Sequence, residues 1–493
     1  MKVKTLIDFG GVVKVSQIML IIMVLLCISA AKEKNIQKDL DTFIAQKKYN
    51  TKGLAVAIVN MDNDSFYLKI NENEPMNPAS VTKLVTGSAA YELLGLNFQF
   101  STKVYINGTY DRDSGIVHGG LCIVGGGDPG FTAERIWLFT QHLYHLGIRK
   151  INGDIIIDDS FFDSVAIGPG FGEDSSSRAY QPLINALPAS FNTVAVHTRT
   201  GSVPGGPVIV DIFPKIQGIT VTSTAKVAAS GKKNTLDIIT LGTSKGTNVV
   251  IKGDLPIGET PRYAYRKVWQ TWQTFGGALL TQLSESGIKC SGGIINQVTP
   301  DSLKKQTPFY VFTSQSINQY VNEMFKYSSN FTAEMLFKTI AAVQDSGVGT
   351  WNAASNVVSQ WWQVAKLPGT PVIKNGSGMG NLNRLSAFQI TSLLGHVWNQ
   401  KVYLPEYLSA LCVAGIDGTL KSRFKNSPIK GLIRGKTGTL NDYGVSTLAG
   451  YILLPQQTFA FAILCNKVGK GQWDNWATQE LILEKFCEMV QEN

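Results

Sequence analysis

The 493-residue sequence predicts an α/β protein of the α+β kind: an antiparallel sheet flanked by helices, split by a large β-rich insertion. Three observations predict it. A helix and a hairpin near the N-terminus, and three apolar strands with a helix at the C-terminus, can share one sheet. Between about 97 and 305 the texture changes to short Val/Ile/Thr runs punctuated by Gly, Asn and Asp, which read as short strands and turns. After about 306 helical periodicity returns. A chain this long exceeds one ordinary core, so two or three domains are expected. Insertion of one domain at a surface loop of another is physically ordinary.

The elements follow in order. Lys2, Lys4 and Lys14 precede IMLIIMVLLCISAA, an apolar run from Ile18 to Ala31, and polar KEKNIQKD comes next. A basic lead, a short apolar run and small residues Ser29 and Ala31 at its exit read as an export signal over 1–31, cleaved near Ala31. The run is shorter than the ~20 residues that a membrane-spanning helix needs; retention as an anchor is the other reading. Ile36, Leu40, Phe43 and Ile44 have helical spacing. GLAVAIVNMDNDSFYLKI reads as two strands around a turn at Asp62-Asn63-Asp64. In NPASVTKLVTGSAAYELLG (77–95), Val81, Leu84, Val85, Ala89 and Leu93 form an apolar helical face, and Gly95 can end the helix.

The insertion contributes KVYING, GGLCIVGGGDPG, GDIIIDDSFF, GGPVIVDIFP, GITVTSTAKV, LDIITLG and NVVIKGDLPIG as strands and turns, and a helical KVWQTWQTFGGALLTQLSESGI near its end. A segment near 205–257 reads as a nested small β domain. INQYVNEMFKY, TAEMLFKTIAAV and AASNVVSQWWQVA read as helices, GLIRGKTGTL, STLAGYILL and TFAFAILC as strands, and WATQELILEKFCEMVQ as the last helix. The predicted division is 32–96 with 306–493 as one domain and 97–305 as the insertion.

Composition narrows the function. Hydrophobic residues make up 44% and charged residues 16%, a globular balance. The net charge of +9 is dispersed, with no dense basic run interleaved with aromatics, so nucleic acid binding is not expected. On an exported protein a basic surface suits an anionic envelope polymer or peripheral association with a membrane surface. Of six cysteines, Cys27 leaves with the signal, and Cys122, Cys290, Cys412, Cys465 and Cys487 are scattered without a CxxC pair. They read as buried thiols with at most one or two disulfides, and no metal or cofactor is expected.

Three short motifs carry the chemistry: Ser80-Val81-Thr82-Lys83, Ser328-Ser329-Asn330 and Lys436-Thr437-Gly438. Alone, each has a plainer reading as a helix cap or a turn. Ser-x-x-Lys occurs eight times in the chain and Ser-x-Asn three times, whereas Lys-Thr-Gly occurs once. Ser80 is distinguished by opening a long apolar helix, where free N–H groups favour developing negative charge. Lys83 lies one turn on, and a buried lysine beside a second cation has a lowered pKa and can accept the Ser80 proton. Ser328 can relay a proton and the Asn330 amide can hold a substrate carbonyl or N–H. Lys436 and Thr437 can face a substrate carboxylate on a strand edge that takes a peptide as an added strand. The N–H groups of Ser80 and Thr439 can form an oxyanion hole.

In that order the motifs are the S-x-x-K, S-D-N and K-T-G set of penicillin-binding proteins and β-lactamases, with Ser329 in place of Asp. From about 36 to 490 the chain resembles the D-alanyl-D-alanine carboxypeptidase/endopeptidase family, the class C type of low-molecular-mass penicillin-binding protein. VGGGDPGFT (124–132) resembles that family's GGDP-x-L-T segment. INGDIIIDDSFFD (151–163), YSSNFTAEML (327–336) and NGSGMGNLNRLS (375–386) each resemble a further family segment. The 248 residues from Ser80 to Ser328 exceed what a β-lactamase allows.

The resemblance implies a β-lactamase/transpeptidase-like domain that cleaves peptidoglycan stem peptides through an acyl-enzyme on Ser80 and is trapped by β-lactam antibiotics. It implies Lys83 as base, Ser328 as proton relay, and Asn330, Lys436, Thr437, Gly438 and Thr439 as the substrate frame. Two departures stand out. Asn381 replaces a frequent Arg, whose carboxylate-reading role is lost or passes to Arg384. GFGEDSSSRAYQP lacks the family's tryptophans, and Asp174 is the counterpart of an Asp that contacts the stem's free amino group. A non-catalytic envelope scaffold, or a β-lactamase or esterase on the same fold, are the alternatives.

Overall fold

A computed structural model describes residues 19–20, 36–172, 177–345, 347–469 and 471–492. Apart from residues 19–20, the expected export segment with its cleavage point lies outside the described residues, as does Asp174. Residues 36–46 are helical (α1). Strands β1 (Leu54–Asn60) and β2 (Phe66–Ile70) follow, then helix α2 (Thr82–Leu94). The insertion opens with β3 (Gln99–Asp111), β4 (Ile116–Val124), α3 (Ala133–His145), β5 (Lys150–Ile151) and β6 (Ile155–Asp158). Its middle holds β7 (Thr193–Arg199), β8 (Ile209–Phe213), β9 (Ile219–Ser223), β10 (Lys226–Ala228), β11 (Asp237–Thr243), β12 (Gly246–Lys252), β13 (Asp254–Pro256) and β14 (Arg262–Lys267). It closes with α4 (Thr271–Glu285), β15 (Lys289–Cys290), β16 (Ile294–Asn296), α5 (Asp301–Lys304) and β17 (Tyr310–Ser316). Then come helices α6 (Ile317–Lys326), α7 (Asn330–Gln344), α8 (Trp351–Val364), α9 (Ala387–Asn399) and α10 (Leu404–Ala410). The chain ends with β18 (Cys412–Val413), β19 (Ile433–Leu440), β20 (Val445–Leu453), β21 (Thr458–Asn466) and α11 (Gln472–Gln491).

The two ends of the chain do share one sheet, in the order β18-β19-β20-β21-β1-β2. The pairs are antiparallel. Successive side chains of a strand point to opposite faces, and here the two faces differ in size. Leu54, Val56 and Ile58 of β1 join Phe461 and Ile463 of β21 in a core with Ile36, Leu40, Ile482 and Phe486, from α1 and α11. Ala55 and Ala57 join Ala449, Ala460 and Ala462 on the other face. Those small residues let the helical layer, with α9 against it, approach the sheet closely. α2 is the centre of that layer. Every residue from Thr82 to Tyr91 is buried, so its surroundings are protein on all sides instead of the single apolar face the spacing predicts. A Cβ on Gly87 would lie 2.6 Å from the Phe325 ring of α6, which measures how closely these two helices pack.

The insertion is built on a seven-stranded sheet with smaller sheets beside it. It runs past residue 305: β17 pairs antiparallel with β3, so the strand that closes the insertion ends at Ser316. The strands near 205–257 have no core of their own, because Val227, Val249 and Ile251 share one buried cluster with Val104, Phe131 and Phe275. Helix α3 falls in a stretch that reads as strands and turns, but Ile136, Phe139 and Leu143 make its buried face. The five described cysteines are free thiols, and four of them are buried.

Candidate active site

Ser80 sits in a 3-10 turn, Ala79–Val81, that runs directly into α2. The turn is held from several sides. Asn77 Oδ1 accepts from the Ala79 N–H at 2.9 Å, and Thr447 Oγ1 donates to the Pro78 carbonyl at 2.8 Å. Ala79 has φ +45, a left-handed conformation that non-glycine residues adopt only when their surroundings enforce it. Gly378 supplies part of that enforcement: a Cβ there would lie 1.8 Å from the Ala79 carbonyl oxygen.

The three motifs converge on this turn. Lys83 is fully buried, and its Nζ donates to Ser80 Oγ at 2.8 Å, Asn330 Oδ1 at 2.7 Å and the Ser377 carbonyl at 2.8 Å. Burial, reinforced by the nearby Lys436 charge, pushes the Lys83 amine well below the ordinary lysine range, with Glu334 opposing. Lys436 Nζ is buried as well and donates to Ser328 Oγ at 2.8 Å and to the Thr437 carbonyl at 2.7 Å. Burial lowers its pKa to about 8. Ser328 has φ +56 in the short link between α6 and α7. Ser329, at the position of the motif's Asp, caps α7 by accepting from the Thr332 N–H. The plain cap reading thus holds for Ser329, while Ser328 and Asn330 turn inward.

Lys436-Thr437-Gly438 lies inside β19, and its cleft-side edge is open over that length. β18 reaches only Arg434 and Gly435. On that edge the Ile433 carbonyl accepts from the Ala414 N–H. Peptide groups along a strand alternate in direction, so Thr437 and Thr439 present theirs to the open edge. Gly438 brings this strand onto the turn: a Cβ there would lie 2.3 Å from Thr447 Oγ1 and 2.8 Å from the Ser80 nitrogen. The Ser80 N–H and β19 are thereby held close together.

Known proteins are similar to this chain over most of its length. A model of the D-Ala-D-Ala carboxypeptidase 3 (S13) family matches residues 36–482. The chain belongs to that family. It is a hydrolase of the D-Ala-D-Ala carboxypeptidase kind, as its motifs imply. It is 27% identical over 472 residues to a D-alanyl-D-alanine carboxypeptidase of an Actinomadura species, spanning 93% of this chain and 86% of that protein. It shares its fold with penicillin binding protein 4 from Haemophilus influenzae, with a TM-score of 0.75, 23% identity, and coverage of 89% of this chain and 96% of the other. A structure of that protein in complex with a β-lactam aligns with a TM-score of 0.72, 22% identity, and coverage of 92% and 99%.

The rest of this S13 site is a cleft of about 560 Å³ leading to Ser80. Arg178, Tyr180, Met379, Thr419, Asp442 and Tyr443 are among the residues that line it. Arg384 is not among its lining residues, because its guanidinium is turned back to the carbonyls of Asn381 and Asn383. Asn381 accepts from Asn77 Nδ2 at 3.1 Å, which ties it to the turn that holds Ser80.

Sequence reasoning missed several residues of the site. Buried Glu334 accepts from the Ser377 N–H at 2.9 Å, the Gly376 N–H at 3.2 Å and Trp351 Nε1 at 2.7 Å. It thereby fixes the loop whose Ser377 carbonyl faces Lys83. Its signal was the one-turn spacing after Asn330 on the same helix face. Thr419 accepts from Thr437 Oγ1 at 2.7 Å and had no local signal. Among the described residues there is no group of His, Cys, Asp and Glu that could hold a metal.

Proposed function

We propose that this protein cleaves peptidoglycan stem peptides by acyl transfer to water, as a serine-type D-Ala-D-Ala carboxypeptidase with D,D-endopeptidase action on cross-linked stems, and that β-lactams inhibit it. The observation that carries this reading is the buried Lys83 amine, lowered in pKa and bound to Ser80 Oγ. Neutral Lys83 takes the Ser80 proton as Oγ attacks the carbonyl between two D-alanines. The N–H groups of Ser80 and Thr439 hold the oxyanion. Ser328, supplied by Lys436, passes a proton to the leaving nitrogen, and Asn330 orients the acyl chain. Thr437 and Thr439 meet the terminal carboxylate along the open edge of β19. Lys436 contributes its charge from behind them, since its Nζ is engaged by Ser328 and Thr437. Water then releases the acyl group.

For the stem's own side chain, Arg178 and Asp442 are the charged groups lining the cleft among the described residues, and we assign them the discrimination expected of Arg384. We place the enzyme in the cell envelope, exported by residues 1–31 and processed near Ala31. Labelled penicillin followed by mass spectrometry of the adduct tests the central claim. One ester on Ser80 is expected, and none on Ser80→Ala; an adduct that persists in Ser80→Ala overturns the nucleophile. Digestion of a cross-linked against an uncross-linked muropeptide measures the two activities separately.

A further inference from the structure

A second cleft, of about 520 Å³, lies in the insertion away from Ser80. Its floor is the outer face of the sheet β14-β7-β8. The registers place Tyr263, His197 and Asp211 in one row across the strands, and Tyr265, Ala195 and Phe213 in the next. On the opposite face of the middle strand, Val194 and Val196 are fully buried. The rings, in contrast, stand in solvent: Tyr263 is 59%, Tyr265 58% and Phe213 61% exposed. His197 stacks on Tyr263 with centroids 4.6 Å apart, which forms a flat plate. Small Ala195 between Tyr265 and Phe213 leaves a trough. The facing wall carries Thr132, Ser190 and Glu134.

Three exposed aromatic faces on one small sheet are unusual for a surface without a ligand. The polar groups around them select the ligand's chemistry. A lipid or an apolar peptide would have to strip water from Glu134 and from Asp211 with its neighbours His197 and Arg199, each 3.8 Å away, and the two carboxylates that line the cleft disfavour a polyanion. A pyranose ring fits both features, because it offers a C–H face to an aromatic ring and a rim of hydroxyls to carboxylate, imidazole and hydroxyl partners. The cleft is also continuous with further polar groups. A smaller hollow of about 270 Å³ shares Thr132, Glu134 and Phe191 with it and reaches Gln315 of β17 and Gln319 and Glu323 of α6, the helix that leads to Ser328. On the other side, the Lys267 N–H of β14 donates to the Ser177 carbonyl at 2.8 Å, and Arg266 bridges to Arg178. Arg178 lines the Ser80 cleft.

We propose that this trough binds the amino-sugar chain that carries the stem peptides, so that one polymer occupies both clefts. The proposal rests on the peptidoglycan reading of the Ser80 site, and its test is separable from it. Titration calorimetry with penta-N-acetylchitopentaose, a peptide-free amino-sugar chain, reads this cleft alone. Labelled penicillin reads Ser80 alone. Binding is expected for the wild type and for Ser80→Ala. It should weaken by at least about tenfold in Tyr263→Ala/Tyr265→Ala, the order expected for two lost ring faces, with penicillin acylation unchanged. Phe213→Ala, at an exposed position on the neighbouring strand, should weaken it in the same direction. Absence of binding at millimolar saccharide, or undiminished binding in the tyrosine variant, overturns the proposal. Loss of the penicillin adduct with saccharide binding intact would instead overturn the reading of Ser80.

Discussion

Two lysines in one buried site must hold different protonation states for the proposed chemistry. Lys83 has to be neutral to accept a proton, and burial together with the Lys436 charge favours its neutral form. Lys436 has to be charged, and it keeps its proton up to about pH 8. The rate of penicillin acylation should therefore rise with pH through the lowered pKa of Lys83 and fall as pH passes about 8, giving a bell. Replacing the cation by Lys436→Met removes a charge that disfavours Lys83-H⁺, so the rising limb should move to higher pH. A pH profile of acylation in both proteins checks the sign; an unmoved rising limb would contradict the coupling. Gly438 is the second residue whose chemistry is decided by space. In Gly438→Ala the new Cβ has to displace Thr447 Oγ1 or the Ser80 nitrogen. Acylation should drop by about 10²- to 10³-fold, the cost of losing one oxyanion donor, while circular dichroism stays that of the parent.

At the scale of single elements, α7 does more than carry Asn330. Its first residue meets Lys83, and one turn on Glu334 holds the Gly376–Ser377 loop from beneath. The same helix thus places the amide and the carbonyl that together hold Lys83. Glu334→Ala would leave two backbone N–H groups and the Trp351 indole without their acceptor. A loss of about 3 to 5 kcal/mol in urea unfolding is expected, together with weakened acylation. Glu334→Gln, which keeps an acceptor oxygen, should lose less than half as much. Equal losses in the two variants would show that charge, not acceptor capacity, is what the loop needs. Strand β19 has a comparable double use. Its inner edge is committed to β20 along its whole length, and its outer edge has no partner strand beyond Gly435 among the described residues, so a peptide can add there as one more strand.

Across the whole molecule, the insertion is strapped to the helices that hold the site. Tyr320 of α6 donates to buried Asp128 of the GGDP segment at 2.6 Å. Asp163, at the end of INGDIIIDDSFFD, pairs at 2.6 Å with Lys338 of α7, whose side chain is fully buried. Lys338 also lies over the Trp351 ring, 4.2 Å from its centroid. These segments therefore have a structural role: they fix the helices on either side of Ser328 and Asn330. Asp163→Ala leaves the Lys338 ammonium buried without its carboxylate and should cost about 3 kcal/mol. The double variant Asp163→Ala/Lys338→Met should recover most of that loss in the same thermal melt. If the single variant melts like the parent, the strap carries no stability.

The sequence by itself determined the mixed α and β class, the strands of the sheet shared by the two ends of the chain apart from the short β18, and, through the order of three short motifs, the family. These features are written in local periodicity, in turn residues and in the order of short motifs, which need no knowledge of the fold. Boundaries and partners were another matter. β17 looks like the start of a helical region until β3 pairs with it, because strand pairing over two hundred residues leaves no local trace. Arg384 reads as a carboxylate binder, but its reach is spent on the carbonyls of its own loop. Arg178, Asp442 and Thr419 have no motif around them and enter the cleft only because separate loops meet there. Which of eight Ser-x-x-Lys pairs faces a buried amide and a second lysine is likewise a property of packing. Chemistry in this protein is encoded residue by residue, but the low-dielectric enclosure that lowers two lysine pKa values exists only once distant segments have closed around them.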